Sequence, residues 1–456
     1  MYFDIAKIDE RTTPRIDASL GFRADKISGR TINFNEEGIC FSSLEPLDND
    51  IFRGVFIVGG KKIDIPMKKV WGRLEQETMK YVYGARYLDI VPVGAQIIRR
   101  EWIMKKMRNY LSSIKDRAEK KIVLSFSREL IMYILSLNDV SLKISSSALD
   151  INAADKNVKS LTDGFMQRAD DYMRKIRNRP LVNKVMEEFR ELTAPWAYKA
   201  YIVKRSFDKP RGYPGDYRIM EYIYDETIMS KDIGHSFDRY FQGNEYAVCV
   251  RKRKDHMREH LKKAISLSDK KGFKVLNIAC GSCREMRELL SDKMFVHDNG
   301  LVDKNIEFHL LDQDTEALGF SISCLEKYDH IVNISTHGNE ILDLIKGVSI
   351  DSRPNSFDIM YTIGLADYLP DRVLGNFISA CFDKYLSPGG EFVLAHKDIS
   401  RYKPLAANWF CDWKFYSREK SDLNGLITKY LPHGEYDLSY ERDKTGIIIF
   451  AMIKKK

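Results

Sequence analysis

The spacing of apolar residues changes twice along the chain and divides it into three segments. Residues 1–95 alternate apolar and polar positions over short stretches, and Gly59-Gly60 separates Val55–Val58 from Lys61–Met67 as the tight turn of a hairpin would. Further strands are expected at residues 31–34, 70–74 and 82–88. The pattern predicts a small all-β barrel or sandwich.

In residues 96–271 apolar residues recur at spacings of three and four, which predicts long helices interrupted by loops at 145–147 and 209–215. From residue 272 onward, buried strands are predicted to alternate with helices, as in a mostly parallel, doubly wound sheet. The predicted strands are 274–279, 307–311, 357–362, 391–395 and 446–453. We therefore predict a multidomain fold: a β-barrel (1–95), a helical middle segment (96–271) and a Rossmann-like α/β domain (272–456).

Composition narrows the classes of protein. The formal net charge of +8 over 456 residues is too small for a dedicated nucleic-acid binder, so no DNA partner is expected, and the basic run Arg251–Lys271 is interpreted as a solvated helix face. No apolar run approaches the roughly 18 residues of a membrane span. An odd number of cysteines, 7, argues against a disulfide framework. Without an apolar signal segment near Met1, the expected location is the cytoplasm.

Candidate chemistry begins at the first strand of the third segment. Val275–Ala279 runs into Cys280-Gly281-Ser282-Cys283, and a helix is predicted from Arg284. A strand, a turn of small residues and a helix bring backbone N–H groups close to a nucleotide-like ligand. The Cys280–Cys283 spacing also occurs in zinc sites, but no second pair follows at ligand spacing, so no metal is expected.

Two later predicted strands end at the same edge of the predicted sheet as the first. The second ends at Asp312, whose carboxylate can accept hydrogen bonds from both hydroxyls of a ribose. Asp314 is the alternative carboxylate, but it also fits a helix N-cap. A third strand delivers Thr362–Leu369 to the same edge, and Pro388-Gly389-Gly390 opens the next strand.

These motifs, in this order, resemble the class I S-adenosylmethionine-dependent methyltransferases, in which a Pro-Gly-Gly turn precedes the fifth strand. Nicotinamide dehydrogenases share the first two features, but not this turn followed by a C-terminal hairpin. The resemblance implies S-adenosylmethionine as the cofactor. The residues that it places at the cofactor are Asn277, Ala279, Cys280, Gly281, Ser282, Arg284, Glu285, Asp312, Gln313, Thr362 and Gly364.

A narrower resemblance covers the chain from about residue 160 to the end. The segments Arg211–Tyr217, Ala279–Glu285, Gly364–Leu369 and Trp413–Arg418 are similar to methyltransferases of extracellular-factor 3-hydroxypalmitic acid methyl ester biosynthesis. This resemblance implies that the acceptor is the carboxylate of a 3-hydroxy fatty acid. A carboxylate is ionised at pH 7 and needs no general base.

The loop Arg211–Tyr217 has two interpretations. Its glycines and proline form a rigid turn that is either a lid over the cofactor and acceptor or a helix-to-helix connection packed on the sheet. Several residues are candidates to orient the acceptor, although each also fits a structural role. They are Tyr213, Asp216, Tyr217, Asp367, Tyr368 and His396.

A different signature lies near the N-terminus. Arg11 and Arg15 stand four residues apart, and Asn33-Phe34-Asn35-Glu36-Glu37-Gly38 follows. The pair and the later motif resemble a PilZ domain, which implies cyclic di-GMP as a regulatory ligand, with Arg11, Arg15, Asn33, Asn35 and Gly38 as its contacts. Arginine forks suit phosphodiesters and guanine edges. The alternative is a barrel that binds no nucleotide.

The sequence thus favours a cyclic di-GMP-responsive, S-adenosylmethionine-dependent methyltransferase that acts on a small lipid-like acceptor. The alternative is a non-catalytic effector that uses the methyltransferase fold for ligand sensing or partner docking. Methylation of nucleic acid is less favoured, because the third strand ends in Thr362-Ile363-Gly364-Leu365 and not in an Asn/Asp-Pro-Pro-Tyr motif.

Overall fold

The computed structural model describes residues 16–17, 19–24, 26–34, 38–58, 61–88, 103–104, 106–107, 110–350 and 354–456. Three predicted nucleotide contacts, Arg11, Arg15 and Asn35, lie outside these residues, and so does the dipeptide Gly59-Gly60.

The N-terminal part is a closed antiparallel barrel. Strands β2–β7 form a ring in the order β3-β2-β5-β6-β7-β4, in which β4 pairs back onto β3, while β1 extends β3. The strands are β1 (Ile16–Asp17), β2 (Gly21–Ala24), β3 (Ile27–Phe34), β4 (Gly38–Ser43), β5 (Ile51–Val58), β6 (Lys61–Glu75) and β7 (Lys80–Tyr87). The closed ring confirms the predicted small all-β barrel.

One strand of the barrel differs from its prediction. Residues 61–67 and 70–74, expected as two strands, belong to the single 15-residue strand β6. Lys68 and Lys69 continue its pairing with β7, and the register shifts between Lys69 and Trp71. The prediction of two strands was wrong because Lys68 and Lys69, which it left between them, continue the ladder.

Long helices follow the barrel. Helix α1 begins after Asp116, whose side chain accepts a hydrogen bond from the backbone N of Glu119 (2.8 Å), and it buries Val123, Leu130 and Leu137 on one face. The helices of this part are α1 (Arg117–Ser145), α2 (Ile151–Arg174), α3 (Arg179–Ala197), α4 (Tyr201–Asp208), α5 (Tyr217–Asp225), α6 (Asp232–Gly243) and α7 (Glu245–Leu267). They confirm the predicted helical segment.

The last part is a seven-stranded mixed sheet in the order β10-β9-β8-β11-β12-β14-β13. The first five strands are parallel, and β14 and β13 add an antiparallel hairpin at one side. The strands are β8 (Lys274–Ile278), β9 (Glu307–Leu311), β10 (Asn333–His337), β11 (Phe357–Thr362), β12 (Leu386–Lys397), β13 (Tyr436–Arg442) and β14 (Ile448–Lys455).

Helices connect these strands. They are α8 (Arg284–Ser291), α9 (Lys293–Asp298), α10 (Leu301–Lys304), α11 (Thr315–Leu325), α12 (Ile341–Lys346), α13 (Asp371–Ala380), α14 (Leu405–Cys411) and α15 (Lys420–Tyr430). Side chains from β11, β12 and β14 pack with α13 and α15 in one apolar core, for example Met360, Phe392 and Phe377. The Rossmann-like sheet, the barrel and the helical segment confirm the predicted multidomain fold class.

The chain divides into two compact units that are discontinuous in sequence. One contains the described residues up to Lys204 together with Ile228–Tyr240, and the other contains Arg205–Thr227 and Phe241–Lys456. The predicted domain limits at residues 95 and 271 stay a prediction. Among the described residues, no helix is both long and apolar enough to cross a bilayer.

Candidate functional site

The strand order of the mixed sheet reverses between β8 and β11. From β8 the chain builds β9 and β10 on one side, and it returns to build β11 and β12 on the other. In open α/β sheets, ligands bind outside the carboxyl ends of the strands at such a switch point. The segments that follow β8, β9 and β11 therefore form the candidate site.

The turn after β8 contains three residues in the left-handed region. Ala279, Gly281 and Cys283 have φ values of +54°, +55° and +49°. Glycine adopts this conformation without strain, whereas residues with a Cβ do so at a cost of roughly 1–2 kcal/mol each. Ala279 and Cys283 thus take the backbone conformation of the glycines common in such turns. The side of Gly281 is open, because an added Cβ would meet only the Cβ of Tyr217, at 4.0 Å.

Asp312 joins this turn to the end of β9. Its Oδ2 accepts a hydrogen bond from the backbone N of Gly281 (2.8 Å), and its Oδ1 accepts one from the backbone N of Asp314 (2.9 Å). Burial raises the pKa of Asp312, although these backbone donors oppose the shift. Each carboxylate oxygen has a further lone pair for a ligand hydroxyl.

Asp314 has different partners. Its side chain caps α11 by accepting from the backbone N of Glu316 (3.0 Å), and it forms an ion pair with Arg211, whose Nε lies 2.9 Å from Oδ2. Burial alone would raise the pKa of Asp314, but Arg211 and the backbone donors outweigh it and lower the pKa. The N-cap interpretation of Asp314 therefore agrees with its geometry, and Asp312 is the carboxylate that faces the cavity.

One cavity occupies the switch point. Most of the predicted cofactor residues line it, together with Tyr213, Tyr217 and Tyr368 from the predicted acceptor set. The lining is Tyr213, Gly215, Tyr217, Met220, Tyr224, Tyr246, Arg253, Asn277, Ala279, Cys280, Gly281, Ser282, Glu285, Leu311, Asp312, Gln313, Asn339, Ile341, Ile363, Gly364, Leu365 and Tyr368.

Glu285 brings a buried carboxylate to this cavity. Its Oε1 accepts hydrogen bonds from Asn277 Nδ2 (2.9 Å) and from the hydroxyl of Tyr361 (2.8 Å). Burial raises the pKa of Glu285, and these two donors oppose the shift. The two hydrogen bonds fix the carboxylate between β8 and β11.

Five predicted cofactor and acceptor residues lie outside the cavity lining: Asp216, Arg284, Thr362, Asp367 and His396. Asp216 caps α5 and pairs with Arg205. Arg284 forms ion pairs with Glu221, Asp225 and Glu288. Thr362 is buried at the end of β11, and its Oγ1 has no hydrogen-bond partner among the described residues.

Asp367 and His396 also lie beside the cavity and not in its lining. The carboxylate of Asp367 accepts from His396 Nδ1, from the backbone N of Lys397 (2.9 Å) and from Lys397 Nζ (2.6 Å). Burial alone would raise the pKa of Asp367, but Lys397 and His396 outweigh it and hold the pKa far below its ordinary value. The carboxylate of Asp367 is thus held in a buried ion cluster next to Tyr368, while His396 Nε2 is buried without a hydrogen-bond partner among the described residues.

The loop Arg211–Tyr217 is anchored at both ends. Arg211 binds Asp314 and also Glu316 (2.6 Å), while Gly215 approaches Trp413 so closely that an added Cβ would lie 2.6 Å from its ring. Between them Tyr213 lines the cavity, and burial followed by the charges of Asp312 and Asp314 raises the pKa of its hydroxyl. That hydroxyl therefore stays protonated at neutral pH, and it donates a hydrogen bond to Asp314 Oδ2 at 3.4 Å.

Arg253 is a cavity residue that the sequence interpretation missed. The run Arg251–Lys271 was expected to be solvated, and this was wrong for Arg253, which is 5 % exposed and lines the cavity from α7. Val250 and Met257 are buried on the same helix, three residues before it and four after it. This helical spacing was the available signal, because it puts Arg253 on the apolar face.

Of the predicted cyclic di-GMP contacts, two lie in the described part of the barrel. Asn33 lies near the end of β3, and Gly38 begins β4, where an added Cβ would collide with the carbonyl oxygen of Ala85. Arg30, an exposed neighbour on β3, donates from Nη1 to Ser19 Oγ at 3.4 Å. Within the described ranges of the chain, no three His, Cys, Asp or Glu side chains are grouped to hold a metal ion.

Comparisons with known proteins give only distant similarity. No family model matches the chain, and no curated protein matches it. Among solved structures, a CurJ carbon methyltransferase is 11% identical with a TM-score of 0.41 and covers 78% of this chain and 98% of its own. A possible exported protein from Bordetella parapertussis is 14% identical with a TM-score of 0.42, covering 72% and 96%.

The N-methyltransferase NodS from Bradyrhizobium japonicum WM9, solved with S-adenosyl-L-homocysteine, is 15% identical with a TM-score of 0.30 and covers 44% of this chain and 87% of its own. All three TM-scores lie below 0.5, so the class of protein rests on the molecule's own geometry. Sheet order and cavity define a Rossmann-like α/β chain with a ligand crevice at its switch point.

Proposed function

We propose that the chain is an S-adenosylmethionine-dependent methyltransferase that O-methylates the carboxylate of a 3-hydroxy fatty acid-like acceptor and responds to cyclic di-GMP. The observation that carries the proposal is the left-handed turn around Gly281, hydrogen-bonded to Asp312 at the switch point of the sheet. Sequence motifs and cavity lining meet at this one place.

The residues at the turn fit the methyl donor. Asp312 keeps acceptor capacity for two ribose hydroxyls after its bonds to the backbone. The open side of Gly281 admits a ligand close to the backbone, and Asn339 and Ile341 offer polar and apolar surface near the end of β10. The buried carboxylate of Glu285 suits the ammonium group of the donor's amino-acid end.

When bound, S-adenosylmethionine supplies a methyl group on a positively charged sulfur. An ionised carboxylate can attack that methyl carbon and displace the sulfur without a general base. The chain then has to position the acceptor and exclude water. We assign exclusion of water to the loop Arg211–Tyr217, which contributes Tyr213 and Tyr217 to the lining. We assign the orientation of an acceptor oxygen to Tyr368, whose hydroxyl accepts a hydrogen bond from Trp413 Nε1 (2.6 Å). In this scheme Asp367 and His396 position Tyr368 and do not contact the acceptor.

Isothermal titration with S-adenosylmethionine and S-adenosylhomocysteine tests the donor site. We expect the wild-type protein to bind both and Asp312→Asn to bind about 10- to 100-fold more weakly, because a charged acceptor of hydrogen bonds becomes a neutral one. Asp329→Asn is the matched control, since Asp329 is exposed in the same unit. Absence of binding by the wild-type protein would refute the proposed function.

Mass spectrometry of reactions with 3-hydroxy fatty acids tests the transfer. We expect a methyl ester and S-adenosylhomocysteine in equal amounts. Donor binding without a methylated product would instead favour the non-catalytic effector.

Control by cyclic di-GMP rests on the N-terminal motif and the barrel that carries Asn33 and Gly38. We expect the nucleotide to bind the wild-type protein and to change either donor affinity or turnover. A change in donor affinity has to be matched by an equal change in nucleotide affinity, because coupling between two binding sites is reciprocal. The double variant Arg11→Ala/Arg15→Ala should lose nucleotide binding while keeping donor affinity. Nucleotide binding that leaves donor affinity and turnover unchanged would remove the regulatory part of the proposal and leave the enzymatic part standing.

A further inference from the structure

Arg253 is a buried cation without a carboxylate partner in the described part of the chain. It lies in the middle of α7, is 5 % exposed, and makes no ion pair with any described residue. Its Nε is buried and has no hydrogen-bond partner there. A buried guanidinium in this state is costly unless an anion balances it.

The neighbouring acidic groups are held elsewhere. Glu285 and Asp367 both act electrostatically on Arg253, but their oxygens accept from other donors: Asn277 and Tyr361 bind Glu285, and the His396–Lys397 pair binds Asp367. Tyr224 contacts Arg253 through its hydroxyl, which is neutral. Among the described residues Arg253 therefore forms no direct ion pair, although the carboxylates of Glu285 and Asp312 line the same cavity.

The position of the guanidinium points to a ligand. A Cβ added to Gly364 would lie 3.6 Å from Arg253 Nη2, so the group faces the segment that follows β11, and it lines the cavity. The surface beside it is aromatic, with Tyr246 packed edge-to-face on Trp413 at a centroid distance of 4.9 Å. Such a wall suits an anionic head attached to an apolar body.

We propose that Arg253 is the carboxylate-binding residue of this cavity, an inference that rests on the proposed function. The planar fork of arginine binds a carboxylate through two parallel hydrogen bonds, which a buried and otherwise unpaired guanidinium can supply. The carboxylate has two possible sources, the amino-acid end of the methyl donor and the head group of the acceptor. The experiment below separates them.

The test compares wild-type protein, Arg253→Met and Arg253→Lys by titration with three probes. S-adenosylhomocysteine carries the donor carboxylate, 5′-methylthioadenosine lacks it, and a 3-hydroxy fatty acid carries the acceptor carboxylate. If the donor is the source, Arg253→Met weakens S-adenosylhomocysteine binding about 10- to 100-fold and leaves methylthioadenosine unchanged. If the acceptor is the source, only fatty acid binding weakens by that factor.

Lys252→Met is the matched control, because Lys252 is the preceding residue of α7 and its side chain is 41% exposed. Arg253→Lys keeps the charge and loses the fork, so we expect an intermediate loss, and it serves as the working variant if Arg253→Met does not fold. Unchanged affinity of both Arg253 variants for all three probes overturns the inference. Failure of the wild-type protein to bind S-adenosylhomocysteine refutes the proposed function instead, so the two failures are distinguishable.

Discussion

Asp216 provides the sharpest test of how the loop before α5 works. The sequence offered it as a residue that orients the acceptor, whereas the structure buries it to 1% exposure against Arg205. Arg205 Nη2 lies 2.7 Å from Oδ2, and its Nε lies 3.0 Å from the same oxygen. The other oxygen caps α5 by accepting from the backbone N of Ile219 at 2.9 Å. We expect Asp216 to act by holding the loop and not by contacting a ligand.

Two substitutions divide this contribution. Asp216→Asn keeps an oxygen for the cap but removes the negative charge that pairs with Nε and Nη2 of the buried Arg205, which should lower the free energy of unfolding by about 3 kcal/mol. Asp216→Ala removes the cap as well and should lower it by about 1 kcal/mol more. With a urea dependence of roughly 2 kcal/mol per molar, the first change moves the unfolding midpoint down by about 1.5 M.

Urea unfolding and donor titration, performed on the same samples, measure the two effects. The folded Asp216→Asn protein should bind S-adenosylhomocysteine within about threefold of the wild-type Kd. Asp292→Asn is the control, because Asp292 also caps a helix by accepting from Phe295 N at 3.1 Å. Its ion pair with Lys262 is partly exposed and not buried, so a much smaller change is expected. Loss of turnover in Asp216→Asn with an unchanged midpoint would refute the reasoning and assign Asp216 to the chemistry.

Three further changes test other parts of the same unit. Asp367→Asn should lower the free energy of unfolding by about 3 kcal/mol at neutral pH. Because the folded-state pKa of this carboxyl is lowered, the difference from the wild-type protein should shrink as the pH falls below about 4, and urea unfolding in which this difference grows in acid would contradict the reasoning. Gly281→Val forces a branched side chain into the left-handed region and should weaken S-adenosylhomocysteine binding in titrations, whereas Gly319→Val, in open space on α11, should not. Gly375→Ala drives a methyl group into the ring of Tyr430 and should lower stability by about 1–3 kcal/mol in urea unfolding; adding Tyr430→Leu should restore most of it, and additive losses would contradict the clash.

The fold was largely predictable because the spacing of apolar residues is regular both in the strands and in the helices. Buried runs such as Val275–Ile278 indicated parallel strands, and alternation indicated the barrel. The prediction of two strands in place of β6 was wrong because cross-strand pairing with β7 holds Lys68 and Lys69, which lay between the predicted strands, in the ladder. The residues next to Lys68 and Lys69 in the sequence do not reveal that β7 is the pairing strand, so the length of β6 is visible only in the assembled sheet.

The site was predictable in position but not in detail. Gly281 and Asp312 could be located because their strands end at one edge, yet the left-handed backbone at Ala279 and Cys283 follows from the packing around the turn and not from their residue type. Arg253 was missed because four basic residues in a row suggest a solvated face, and the apolar neighbours that bury it lie a helical turn away. The run of basic residues predicted that Arg253 is exposed, whereas the helical spacing of its apolar neighbours predicted that it is buried, and the second prediction agrees with the structure.

The discontinuous course of the chain also has a genetic consequence. The unit that holds the sheet takes Arg205–Thr227 and Phe241–Lys456 but leaves Ile228–Tyr240 to the other unit. A truncated gene that begins at Gly272 therefore deletes Tyr213 and Tyr224 along with Arg253, and so removes one wall of the cavity while leaving every strand of the sheet. Recombination that transfers this unit as a whole requires a boundary before Arg205, and it also transfers the thirteen residues Ile228–Tyr240 of the other unit.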